Sequence, residues 1–101
     1  MDRRARDILL IRLEQLKPQL ELNGVKHLEL FGSRSRMDNR TDSDIDLVVE
    51  VDDGAPFSML DLVGVGHVVE DNLGLPANIF MKRSLDNGFL DEIRPDLIKV
   101  F

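Results

Sequence analysis

Two short apolar runs, Val25–Phe31 and Ile45–Val51, flank a polar stretch that opens with Gly32-Ser33 and closes on Asp44-Ile45-Asp46. The first run holds Val25, Leu28, Leu30 and Phe31 between Asn23-Gly24 and Gly32-Ser33, and it reads as a buried strand. The second holds Ile45, Leu47, Val48, Val49 and Val51 and reads the same way. Side chains two apart on a strand share a face, so Asp44 and Asp46 are expected side by side at the leading end of the second strand. Two bare carboxylates about 4 Å apart repel by roughly 4 kcal/mol at an effective dielectric of about 20. Either one takes a proton or a cation sits between them. Hard divalent ions suit such a place, because Mg²⁺ takes few protein carboxylates and completes its shell with water and phosphate oxygens.

Gly32 lets a backbone come close to an anion, and Ser33 adds an N–H and a hydroxyl. A helix opening after that turn would direct its first N–H groups at the same anion. Taken alone, Gly-Ser after a strand is most often a turn, and Asp-x-Asp is most often a solvated loop or a cap. Together, with strands on both sides and the acid pair opening the second, they favour a site for a nucleoside triphosphate and its metal.

Gly32-Ser33, ten further residues and Asp44-x-Asp46 resemble the signature of the polymerase-beta-type nucleotidyltransferase superfamily. The leader KPQLELNGVKHLELFGS, the stretch SDIDLVVEV and the tail PANIFMKRSLDNGFLDEI are similar to its minimal nucleotidyltransferase branch, from about Leu13 to Phe101. The resemblance implies transfer of a nucleoside monophosphate, AMP from ATP, to a hydroxyl by two-metal chemistry with Mg²⁺ or Mn²⁺. It also implies a protein partner, since several members of the branch are antitoxins that adenylylate a toxin of the helical HEPN class. By position, Gly32 and Ser33 would hold the triphosphate, Asp44 and Asp46 the metals, and Arg36 would offset phosphate charge.

Two positions depart from the family pattern. Met37 stands where glycine is usual. Asn78, in Gly74-Leu75-Pro76-Ala77-Asn78-Ile79, stands at the position of the third acid. An amide offers a carbonyl oxygen to a metal but carries no charge and takes no proton. Asp71 and Asp86 are close in sequence, yet neither fits the strand position. The resemblance therefore leaves two readings open: a working transferase, or a weakened or inactive antitoxin that acts by occlusion.

The whole chain, 101 residues, is expected to be one domain of α/β or α+β class, a small mixed sheet packed against helices. A net charge of −6 and the absence of Trp and Tyr speak against a nucleic-acid partner. No apolar run is long enough for a bilayer, the charged start MDRRARD is unlike a signal peptide, and no cysteine is present; a cytoplasmic location is expected. Residues 42–53 contain six acids and no Lys or Arg. They read as a solvated strand end and loop, or as a surface that also attracts a basic partner.

Helices are expected over 2–16, with Asp2 as a cap and Pro18 starting a further turn, over 59–73 between Ser58 and Gly74, and over 88–93. A short helix and loop fill 35–43, 77–81 is a third strand, and 97–101 is a last strand or a tail. His27 and His67 read as surface or core rather than ligands. Lys82-Arg83 reads as a solvated pair, and Arg3, Arg4 and Arg6 as a frayed helix end. Any part of the first helix's aliphatic stripe left exposed would serve a partner or a homo-oligomer.

Overall fold

Alternation along the second apolar run gives its strand two buried faces, and the rest of the chain divides between them. A computed structural model describes residues 3–101. Its helices are α1 (Arg3–Glu14), α2 (Lys17–Leu22), α3 (Ser33–Arg36), α4 (Met59–Leu73) and α5 (Asn87–Ile93). Its strands are β1 (His27–Phe31), β2 (Ile45–Glu50), β3 (Ala77–Met81) and β4 (Ile98–Lys99). They form one mixed sheet in the order β3-β2-β1-β4, in which β1 runs antiparallel to β2 and β4, and β2 parallel to β3. The parallel pair requires a long crossover, which α4 supplies.

Ile45, Leu47 and Val49 point to one face together with Leu28 and Leu30, and Leu13, Leu20, Val65 and Val69 of the helices close over them. Phe31 and Val48 point to the other face, beneath Ile93. There Phe31, Phe80 and Phe89 meet with ring centroids 5.6 to 6.2 Å apart, edge-on or tilted. Strand alternation puts Asp46 and Asn78 on this second face as well. Leu47 is fully buried at the centre of the first face. Leu47→Ala is expected to cost about 2–5 kcal/mol, read as a lowered urea midpoint at unchanged slope.

Local chemistry sets the element ends. The Ser58 side chain accepts from Asp61 N–H while the Asp61 carboxylate accepts from Ser58 N–H at 2.8 Å, a reciprocal cap that starts α4. Gly74, at φ +71°, ends it. The helix α5 begins at Asn87, ahead of the expected Gly88, because the Asp86 carboxylate accepts Phe89 N–H at 2.8 Å. That caps the helix and commits Asp86, which does not fit the strand position of the third acid, to a structural role. The helix α1 stops at Glu14, before the expected Leu16, and Pro18 sits in the first turn of α2. The expected cap Asp2 lies outside the described residues.

Two readings of basic residues need correction. Arg6 is no frayed end, since its guanidinium donates to Ser35 O at 3.0 Å and ties α1 to α3. Lys82-Arg83 is not a solvated pair either. Arg83 donates to the carbonyls of Asp52, Ala55 and Phe57 at 3.0 to 3.3 Å and gathers the loop between β2 and α4. Lys82 lies 3.3 Å from Glu29 and 3.7 Å from Glu50. Ile8 and Ile11 of α1 stay about half exposed. Among the described residues no helix is long and apolar enough to cross a membrane.

Candidate active site

Asp46 is the residue on which the site is built, because the sheet fixes a neighbour on each side of it. Its partner across the antiparallel ladder is Phe31, the residue before Gly32, and its partner across the parallel ladder is Asn78. Asp44, one residue ahead of β2, completes the group. The Asn78 side-chain amide donates to Asp44 Oδ2 at 3.1 Å and to Asp46 Oδ1 at 3.0 Å. One NH₂ group thus bridges both carboxylates and offsets part of their repulsion.

The turn after β1 lies against Asp46. Gly32 adopts φ +78° and ψ −160°, a conformation open to glycine and strained for L side chains. A Cβ placed on Gly32 would stand 2.3 Å from Asp46 Oδ2, so the position is closed to any side chain as the acid pair now sits. Ser33 begins α3, where the N–H groups of Ser35 and Arg36 turn back to Gly32 O at 3.1 Å. Those of Ser33 and Arg34, at the head of the turn, take no part in the helix ladder. Gly32 thus lies against Asp46, which Asn78 joins to Asp44, and Ser33 follows Gly32 in the chain.

Arg36 sits differently. Its guanidinium binds Asp38 at 3.0 Å and Asp96 at 2.8 Å, and these carboxylates, Asp38 first, raise its pKa above the ordinary arginine value. It stays charged, and a role on phosphate requires it to exchange these partners. Met37 takes the left-handed conformation, φ +66°, that the family's glycine accepts without strain. Met37→Gly is expected to raise stability by up to about 1 kcal/mol, since relief of αL strain exceeds the added freedom of the unfolded chain; thermal melting of the variant measures it.

Sequence reasoning missed Arg34. From α3 it donates to Ser43 O at 2.8 and 3.0 Å and to Thr41 O at 3.1 Å, clasping the loop that delivers Asp44. It also missed Ser35, buried, whose hydroxyl donates to Asp96 O beneath the same turn. Neither contact leaves a sequence pattern, because both acceptors are main-chain carbonyls. Within the acidic run, Glu50 pairs with Lys82 and Asp52 with Lys26, which leaves Asp42, Asp44 and Asp46 at its start and Asp53 at its end without an ion pair among the described residues.

Among the described residues no three His, Cys, Asp or Glu side chains gather around a common point. The donor set is two carboxylates and one amide. That fits a hard divalent ion whose remaining ligands are phosphate oxygens and water. Half a turn of the Asn78 amide would bring its carbonyl oxygen to the place its NH₂ now holds.

Residues 13–100 match the nucleotidyltransferase domain family, and the chain belongs to that family. A Methanocaldococcus jannaschii protein with the provisional name protein adenylyltransferase is 34% identical over 83 residues, which cover 82% of this chain and 87% of that protein. A solved structure described provisionally as a minimal nucleotidyltransferase is 28% identical, covers 97% of this chain and 95% of its own, and superposes with a TM-score of 0.77. The fold also matches a structure of the tri-AMPylated Shewanella oneidensis HEPN toxin in complex with MNT antitoxin, with a TM-score of 0.66 at 15% identity over 95% of this chain and 71% of that one.

Proposed function

We propose that this chain is a protein adenylyltransferase that moves AMP from ATP to a hydroxyl on a partner protein and thereby acts as antitoxin to a HEPN-class toxin. The convergence of Asp44, Asp46 and Asn78 on the Gly32 turn carries this reading, and the family supports it. Asp44 and Asp46 would hold Mg²⁺ or Mn²⁺, and Gly32 and Ser33 would receive the triphosphate. The metal, when bound, supplies positive charge against the phosphate oxygens and the attacking oxygen. In the reaction the hydroxyl oxygen forms a bond to the α-phosphorus of ATP. The α-phosphorus–oxygen bond to the β-phosphate breaks, pyrophosphate leaves, and the hydroxyl proton passes to water. Asn78 takes no part in that proton transfer.

One observation favours a second reading. In it, with an amide bridging the acid pair in place of a third carboxylate, the chain keeps the shape of a transferase and restrains a toxin by covering it. That choice is open to experiment. Incubation with ATP, Mg²⁺ and a cognate toxin should release pyrophosphate and add AMP to the toxin. Restraint without any adduct, and undiminished when Asp44 and Asp46 are both alanine, is the result that selects occlusion. Asn78→Asp restores the family's third acid, and in the transferase reading it raises turnover by roughly 10–100-fold, the usual scale for tuning a metal's surroundings.

A further inference from the structure

The sheet has an open edge at β3, and a groove runs along it into the candidate active site. One wall is a single flank of α4, with Met59, Val63 and Glu70 at helical spacing. The other is β3 itself, where Ala77, Asn78, Ile79 and Phe80 all line the groove. Side chains from both faces of one strand border a common space only when that space follows the strand's edge. Ile45 N–H donates to Pro76 O at 2.8 Å, which turns the peptide groups of Pro76, Asn78 and Phe80 toward β2 and those of Ala77 and Ile79 outward. Glu70 accepts the outward Ala77 N–H at 3.0 Å. The outward N–H and C=O of Ile79 meet no partner among the described residues. An edge with unmet backbone groups is a template for one more strand.

The α4 lip above this edge is apolar and exposed: Met59 is 71% accessible, Leu60 83% and Val63 47%. The groove is lined by Glu70 and His67 but by no Lys or Arg, and its Asn78 bonds Asp44 and Asp46, so its charge favours a neutral or basic occupant. A strand laid on β3 would send alternate side chains to opposite faces. Those on the α4 side meet Met59 and Val63, and those between them pass Phe80 and Asn78 on the face that carries Asp46.

We propose that this groove docks the acceptor: an extended, neutral or basic segment of the partner protein pairs with the peptide groups of Ile79, seats apolar side chains toward Met59 and Val63 at one end of the groove, and presents a hydroxyl residue at the other end, beside Asn78, to Asp44 and Asp46. The hydroxyl's destination rests on the transferase reading above, while the pairing on β3 rests on the backbone alone. Edge-strand addition gives affinity through the main chain and selects sequence through alternate pockets.

The probe is a short basic peptide with Val-Tyr-Val at its centre, added to the ¹⁵N-labelled chain and followed by amide exchange. Ile79 N–H exchange should slow by at least about tenfold on saturation, and Val63→Lys or N-methylation of the peptide's central amides should weaken binding by about tenfold or more. No binding overturns the proposal, as does a response confined to residues 42–44, or Ile79 protection that appears with protein concentration alone and marks a second copy on the edge. Protection of Ile79 without AMP transfer to the peptide keeps the groove and counts against the transferase reading. Transfer without protection of Ile79 keeps the transferase and removes the groove.

Discussion

Replacing Asp44 and Asp46 together by alanine is expected to lower AMP transfer by about 10³-fold or more while the chain stays folded. Asp44 is exposed and Asp46 half-buried, and both sit at the leading end of β2, outside the two apolar cores. Their removal deletes two hydrogen bonds from Asn78, whose exposed amide can turn to water instead. It also deletes a repulsion, so the melting temperature should hardly fall. The charge that gathers a divalent ion disappears at the same time, and with it several kcal/mol of stabilisation where phosphate charge develops. Transfer measured with radiolabelled ATP, alongside a melting curve, separates the two effects. A variant that melts normally yet transfers at more than about a tenth of the wild-type rate would contradict the assignment.

Gly32→Ala is expected to be nearly as damaging by a different route. The added methyl carbon would fall 2.3 Å from Asp46 Oδ2 and must displace either the turn or the carboxylate. The backbone at φ +78° and ψ −160° adds strain of about 1–3 kcal/mol for an alanine. Stability and nucleotide binding should therefore fall together, binding by about tenfold or more for each 1.4 kcal/mol lost at the site. Gly54 is the control. It also has a positive φ, +76°, but no atom lies within 4 Å of its would-be Cβ. Gly54→Ala should cost only about 1–2 kcal/mol of αL strain and leave ATP binding unchanged. Equal losses of binding in the two variants would mean that strain, not the approach to Asp46, explains the glycine.

What the sequence made legible follows from the range of the interactions involved. The ends of α4 were readable because Ser58, Asp61 and Gly74 act within a few residues of themselves. The two central strands were readable from their alternation, and the meeting of Gly32 with Asp46 from the spacing of a known motif. Asn78 against Asp44 and Asp46 was anticipated only through the family pattern, since 32 to 34 residues separate the partners and β2–β3 register decides the contact. The arginines were misread or overlooked for a common reason. Arg6, Arg34 and Arg83 all donate to carbonyl oxygens of distant or looped backbone, and a carbonyl is the same at every residue. Arg36 was placed at phosphate by the family pattern, and its contact with Asp96, 60 residues away, leaves no sign in the sequence.

The sharpest single measurement is a crystal of the chain grown with Mn²⁺ and a non-hydrolysable ATP analogue, read by anomalous scattering. The predicted result is a Mn²⁺ peak against the carboxylates of Asp44 and Asp46, with the triphosphate on the N–H groups of the Gly32-Ser33 turn. A nucleotide seated elsewhere, or a metal peak remote from both aspartates, would contradict the account.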